Sequence, residues 1–209
     1  MIHPAKSPPG SASIADDLAA RGWSVARGLF EGAVLDGLEA EAGGELADGR
    51  LRAAEVGQGA DRALRQDVRG DRIRWIDPAS ATAAERGYLD RMERLRLQLN
   101  AELFLGLDSL EAHLSAYLPG TRYRRHLDRF ARGGERAISA VLYLNRGWRP
   151  EDGGELRLYA EHGEVEVAPE MGTLAVFRSD TMWHEVLPAA SLRLGVAAWY
   201  RRRVAGMAR

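Results

Sequence analysis

The sequence predicts an α+β fold in which helices come first and a sandwich or jelly roll of short strands follows. Three observations carry this. A series of short strand-like runs lies after Gly106, punctuated by Pro, Gly, Asp and Asn. The longest helical periodicity, Ala83 to Phe104, lies before them. No repeat or linker-like stretch divides the 209 residues, a length ordinary for one domain.

The elements follow in order. Pro4 to Ser13 is rich in Pro, Ser and Gly, so residues 1–13 read as a flexible leader and 14–209 as the domain. Within it, 14–105 forms the helical and strand part and 106–202 the jelly-roll core. Ile14 to Arg21 is a short helix stopped by Gly22, and Trp23 to Phe30 is a strand. Glu31 to Leu46 spaces Val34, Leu35, Leu38 and Leu46 as an amphipathic helix, weakened near its end by Gly43 and Gly44. Leu51 to Gly70 is polar, a strand edge followed by a mobile loop. Arg72 to Ile76 is a strand ended by Pro78. In Ala83 to Phe104, residues Tyr88, Leu89, Met92, Leu95, Leu99 and Leu103 share one face, which suits a brace packed on a sheet. The later strands are His113–Tyr117, Ala137–Leu144, Glu155–Tyr159, Glu164–Val167, Thr173–Phe177, His184–Leu187 and Leu192–Tyr200.

Composition narrows the chemistry. There are 29 Lys+Arg against 30 Asp+Glu, a net charge of -1, which lacks the basic excess of a nucleic-acid binder. Lys6 is the only lysine, so arginine abundance is a compositional habit and no arginine is special without a positional reason. Arg122, Arg124 and Arg125 read as surface charge, with a basic rim for an acidic partner as the alternative. No apolar run would span a membrane, and no export signal opens the chain, so a cytoplasmic location is expected. With no Cys, a metal site has only His, Asp and Glu to draw on.

Five histidines make that search short. His126 and Asp128 are two apart, so in a strand they point the same way. His184 opens a later strand. Two His and one carboxylate form the facial triad of non-haem Fe(II) oxygenases. His113 and His162 read as structural or surface residues. His3 lies in the leader. Arg193 sits in an apolar strand, with Gly195, Ala197 and Trp199 on the same inward face. A buried guanidinium needs an anion, either a protein carboxylate or a carboxylate-bearing cosubstrate gripped bidentately. Tyr143 is either a second donor to that anion or a core tyrosine.

These residues resemble a known family. Tyr117-Leu118-Pro119-Gly120, Tyr123 and His126-Leu127-Asp128 look like the core of the prolyl hydroxylase domain enzymes, the 2-oxoglutarate- and Fe(II)-dependent oxygenases related to hypoxia-inducible-factor prolyl hydroxylases. The likeness continues through Tyr143-Leu144-Asn145, Trp148, Gly153-Gly154-Glu155-Leu156-Arg157, Ser179-Asp180, His184-Glu185-Val186, Pro188, Arg193 and Trp199-Tyr200. Upstream it takes in Arg69-Gly70-Asp71-Arg72-Ile73 and Trp75-Ile76, so it runs from about Trp23 to Arg201. It implies a double-stranded β-helix, or jelly roll, with N-terminal helices bracing one sheet. It implies that His126, Asp128 and His184 hold iron. Arg193 and Tyr143 hold the far carboxylate of 2-oxoglutarate, with Tyr117 near its chelating end. Arg69, Asp71, Ile73, Trp75, Leu156, Val186 and Trp199 line the substrate pocket, with Arg69 and Asp71 at its entrance. Val56 to Asp71 matches a loop that closes over a protein substrate.

The activity so implied is hydroxylation of a prolyl residue in a protein, with O₂ consumed, succinate and CO₂ released, and ascorbate as a candidate reductant. Composition and length suggest a bacterial member, for which analogy offers a translation elongation factor as target. Arg129-Phe130-Ala131-Arg132, Ala197 and Thr181-Met182-Trp183 depart from the animal enzymes and bear on the substrate, not on the iron or cosubstrate sites. Two other readings stay open: the same chemistry on a small molecule such as a free amino acid, and a non-catalytic jelly roll that senses a metal or an acid. Nucleic acid is disfavoured as a substrate, because Trp199 stands where a second inward Arg would be expected. The oligomeric state is not indicated.

Overall fold

The structure, a computed structural model, describes residues 13–55, 63–128 and 136–202. The leader up to residue 12, part of the Val56 to Asp71 loop and the Arg129 to Arg132 departure lie outside the described residues.

Helix α1 (Ile14–Arg21) starts with a reciprocal capping box between Ser13 and Asp16 and ends at Gly22, whose φ of 79° is left-handed. Strand β1 (Trp23–Ala26) is shorter than the sequence suggests, because the chain turns at Gly28 with φ 71°. Helix α2 (Gly32–Ala47) continues through Gly43 and Gly44. Burial of Leu38 and Ala42 overrides the weak propensity there. After the short β2 (Arg52–Ala53) and β3 (Asp71–Trp75), helix α3 (Ala83–Leu103) begins with a second capping box, Thr82 with Glu85. Tyr88, Met92, Leu95 and Leu99 are buried along α3, as their spacing predicts. A Cβ on Gly87 would lie 2.7 Å from Val34 Cγ2, so the α2–α3 contact requires glycine there.

Eight strands follow: β4 (Leu107–Tyr117), β5 (Tyr123–His126), β6 (Arg136–Tyr143), β7 (Leu156–Ala160), β8 (Gly163–Val167), β9 (Leu174–Arg178), β10 (Trp183–Val186) and β11 (Arg193–Arg202). They form two antiparallel sheets. The larger has the order β1-β9-β6-β11-β4-β3-β2 and the smaller β5-β10-β7-β8. This is the double-stranded β-helix with its added edge strands. β4 begins well before His113 because the Asn100 side chain bonds both the N–H and the C=O of Leu107, at 2.8 Å each. Among the described residues no helix is long and apolar enough to cross a membrane.

Two cores result. Leu38, Tyr88, Met92, Leu95 and Leu99 from the helices pack with Leu114, Ile138, Val196 and Tyr200 of the larger sheet. The helices thus brace that sheet, and the Tyr200 hydroxyl donates to the Met92 carbonyl at 2.7 Å. The second core, between the sheets, holds Tyr117, Tyr143, Leu156, Leu158, Phe177 and Val186. The cavity described next opens within this second core.

Candidate active site

β5 and β10 run antiparallel with His126 and His184 as register partners. Their rings are 4.1 Å apart between centroids. Asp128 lies beyond the end of β5, not within a strand as its spacing suggests. Its carboxylate still reaches both rings: Oδ1 is 3.5 Å from His126 Nε2 and Oδ2 is 3.5 Å from His184 Nε2. The three offer ligand atoms within 4.8 Å of one another, a group that could hold a metal ion. Two imidazoles and one carboxylate suit Fe(II) with open positions left over.

Backbone groups aim these ligands. His126 Nδ1 donates to the Arg124 carbonyl at 2.7 Å, and His184 Nδ1 donates to the Met182 carbonyl at 3.0 Å. Each bond selects the tautomer whose Nε2 lone pair faces the site. Burial pushes His184 down to about 4, with Asp128 opposing, so its ring is neutral at pH 7 and ready to ligate. Burial also works against the Asp128 carboxylate, but His184, His126 and Ser139 together hold it well below the usual range. Ser139 Oγ donates to Asp128 Oδ2 at 2.6 Å and lies 2.8 Å from Ser179 Oγ.

One cavity joins the triad to Arg193. Arg193 opens β11, opposite Tyr117 on β4, and its guanidinium sits 5.0 Å from the Tyr117 ring and 4.9 Å from the Tyr143 ring. It is only 2% exposed, and no carboxylate among the described residues pairs with it. Its Nε and Nη2, and the Tyr143 hydroxyl, have no hydrogen-bond partner among the described residues. Burial raises Tyr143 to about 12 and Tyr117 well above the usual range, so both remain donors. Buried donors left orphaned beside a cation fit the carboxylate of an acid ligand. On the same strand, glycine is required at Gly195: a Cβ there would lie 2.9 Å from the Leu142 carbonyl oxygen and 3.6 Å from Ser115 Oγ.

The other expected residues divide. Arg69, Asp71, Tyr117, Leu156, Val186 and Trp199 line this cavity. Arg69 and Asp71 form a bidentate pair at 2.7 and 3.0 Å, and the Arg69 guanidinium lies 4.9 Å from the Tyr123 ring. Trp75 stands at the rim, 45% exposed, edge-on to His113 and tilted against Trp199. Ile73 shares a strand face with Asp71 and Trp75 but does not line the cavity.

Sequence reasoning missed His113, Ser115, Tyr123 and Val141, all in the lining. His113 is 1% exposed, so of the two alternatives it is the structural one. Period two from Tyr117 along β4 reaches Ser115 and His113, so the signal was present. Tyr123 was hidden by a register shift in β5, which puts it three residues from His126 yet stacks the two rings at 3.5 Å.

Known proteins resemble this chain in sequence and fold. A family model described as the 2OG-Fe(II) oxygenase superfamily matches residues 112–201. A prolyl-4-hydroxylase structure from Pseudomonas putida is 45% identical, with a TM-score of 0.82 over 90% of this chain and 97% of that one. A prolyl hydroxylase from Trichoplax adhaerens, solved with a hypoxia-inducible factor peptide fragment, is 25% identical, with a TM-score of 0.81 over 90% of this chain and 87% of that one. The hypoxia-inducible factor prolyl hydroxylase of Caenorhabditis elegans is 30% identical over 145 residues, 65% of this chain. The chain spans 20% of the length of that curated relative. The cofactor set of the superfamily, Fe(II) with 2-oxoglutarate and O₂, suits a site of two His, one Asp and an unpaired buried Arg. From its fold, its site and these likenesses, the chain belongs to the prolyl hydroxylase family of 2-oxoglutarate- and Fe(II)-dependent oxygenases.

Proposed function

We propose that this chain hydroxylates a prolyl residue of a protein substrate, using Fe(II), 2-oxoglutarate and O₂. The observation that carries the cosubstrate reading is Arg193, a guanidinium buried with two unpartnered donors beside an orphaned Tyr143 hydroxyl. Such groups are costly to leave unpaired, and a ligand carboxylate removes that cost. When bound, the metal and cosubstrate supply the oxidising chemistry, with one oxygen atom going to the substrate and one to succinate as CO₂ leaves.

The protein's part is to hold and to exclude. His126, Asp128 and His184 would occupy one face of the metal, each with its other polar atom fixed by the protein. Arg193 and Tyr143 would bind the distal carboxylate, and Tyr117 would flank the cosubstrate. Val141, Leu156, Val186, Ala197 and Trp199 give the cavity apolar walls, which keep water from the reacting centre. Arg69, Asp71 and Trp75 would receive the prolyl segment at the mouth. No separate general base is required, so Glu and Asp side chains elsewhere need no catalytic role.

The protein substrate rests on family likeness, above all to the Trichoplax adhaerens prolyl hydroxylase solved with a hypoxia-inducible factor peptide fragment and to the Caenorhabditis elegans hypoxia-inducible factor prolyl hydroxylase. A cytosolic translation elongation factor is the proposed target class, and the cytoplasm the proposed location. Anaerobic titration with Fe(II) and 2-oxoglutarate should give a visible charge-transfer band, and its absence would remove the cosubstrate assignment. Incubation with cytosolic proteins and then mass spectrometry should reveal a singly oxygenated prolyl peptide. Turnover of free proline without any oxygenated peptide would instead support a small-molecule oxygenase.

A further inference from the structure

β5 is a four-residue edge strand, yet it ends in the ligand His126 and leads directly to Asp128. On one side it pairs with β10 through only two register positions. Its other side is held by the segment Asp67–Gly70. Gly70 N–H donates to the Arg122 carbonyl and Arg124 N–H donates to the Val68 carbonyl, each at 2.9 Å. Arg69 and Tyr123 form an isolated β-bridge. The contact is close: a Cβ on Gly70 would lie 2.7 Å from Thr121 Cβ.

Arg124 is where these bonds converge. Its side-chain Nε donates to the Asp67 carbonyl at 2.8 Å, and its own carbonyl accepts from His126 Nδ1 at 2.7 Å. A second route runs beside it, with the Arg69 guanidinium over the Tyr123 ring and that ring stacked on His126. An exposed arginine side chain thus reaches a backbone carbonyl of the neighbouring segment, while its peptide unit fixes the tautomer of a proposed metal ligand.

We propose that Arg124 is a positioning residue that ties the segment Asp67–Gly70 to His126, so that the metal site and this segment order one another. The inference rests on the reading of His126, Asp128 and His184 as a metal site. Because coupling between two sites is reciprocal, metal binding must protect the segment just as the segment supports the metal.

The test uses Co(II) with the full chain, without cosubstrate. Calorimetry reads affinity, the visible d–d spectrum reads ligand geometry, and hydrogen exchange reads the Gly70 and Arg124 amides. In the wild type, Co(II) should slow exchange at both amides about fivefold or more. Arg124→Leu should weaken Co(II) binding about tenfold, alter the d–d band and lose most of that protection. Its metal-free melting temperature should stay unchanged, since the side chain is exposed. Arg124→Lys keeps a donor within reach of the Asp67 carbonyl and should recover most of the affinity and the band. If the wild type binds no Co(II), the metal-site reading and this linkage fall together. If Arg124→Leu binds Co(II) with unchanged affinity, band and protection, the linkage alone is wrong. Equal losses in the Leu and Lys variants would also overturn it, because the hydrogen bond would then not be the cause.

Discussion

Two arginines line the same cavity and are treated in opposite ways. Arg69 is matched within the protein: Asp71 takes it bidentately, and His113 Nε2 lies 3.5 Å from its Nη2. Arg193 is buried more deeply and has no carboxylate, only the flanking rings of Tyr117 and Tyr143. The Arg69 side chain keeps 14% of its surface exposed and Arg193 only 2%, so the more deeply buried cation is the one left without an anion. A fold that completes one buried ion pair and leaves the next open reserves the second for an anion from outside. On the proposed function, Arg69 is held by the protein itself at the cavity mouth and Arg193 is left to bind the cosubstrate carboxylate.

Removing a carboxylate should expose this contrast most sharply. Asp71→Asn keeps the shape but strands the Arg69 charge, and should cost about 3–5 kcal/mol of stability by urea unfolding. Adding Arg69→Met should restore most of it. Arg193→Leu should behave in the opposite sense. The ligand-free protein should lose no stability, since an unpaired buried cation is replaced by an apolar side chain. Affinity for 2-oxoglutarate should fall by about 2–5 kcal/mol in a calorimetric titration, while metal binding persists. If Arg193→Leu destabilises the ligand-free protein as much as Asp71→Asn does, the two arginines are alike and the contrast is broken.

The same pair marks how far the sequence could be read. Arg193 was legible because it interrupts an apolar strand with Gly195, Ala197 and Trp199 on its own face, and period two is a strong signal on a long strand. The helices were legible from the Gly22 stop after α1 and from the α3 stripe. The Arg69–Asp71 pair is two residues apart and local, but its burial was not legible, since that requires knowing that β3 lies against β4 with Asp71 opposite Tyr117. His113 was passed over for the same reason. The carboxylate two residues before it, Glu111, turns to Arg136, and the partners that seat His113 in the cavity, Arg69 and Trp75, come from a distant stretch of chain. β5 was the least legible element, because a short strand with a register shift carries no clean alternation.

His113 offers a test of the Arg69 side. Burial, reinforced by Arg69 and opposed by Asp71, lowers it from 6.5 to about 4. The unfolded chain then binds the proton first as pH falls. Stability from this residue is complete above about 6.5, is lost between about 6.5 and 4, and falls no further below that. At pH 5 the loss is about 2 kcal/mol relative to pH 7. His184 is depressed in the same direction in the metal-free protein, so wild-type acid sensitivity has two sources. His113→Met should therefore keep only about half of the pH 7-to-5 drop in the urea midpoint. An undiminished drop would mean that His113 is hydrated and does not seal the Arg69 pair.

The smallest effect concerns Asp128, a further buried charge in the cavity that is met by neither guanidinium. In the metal-free protein its carboxylate depends on neutral dipoles and two imidazoles: Ser139 Oγ at 2.6 Å, with Ser179 Oγ 2.8 Å behind it, and the paired rings. If a hydroxyl relay does for Asp128 what Asp71 does for Arg69, its loss should be felt by the metal and hardly by the fold. Ser139→Ala removes one charge-assisted hydrogen bond and frees Oδ2 to rotate. Metal affinity should then drop about tenfold, the lower end of what partners of metal ligands contribute. Folding stability should change by only about 1 kcal/mol, because the remaining imidazoles still face the carboxylate. Ser139→Thr keeps the hydroxyl and should keep the affinity if the added methyl is accommodated. A Ser139→Ala variant that loses several kcal/mol of stability with unchanged metal affinity would place Asp128 with Arg69, as a structural charge satisfied by its surroundings, and would leave Arg193 as the cavity's single unfinished pair.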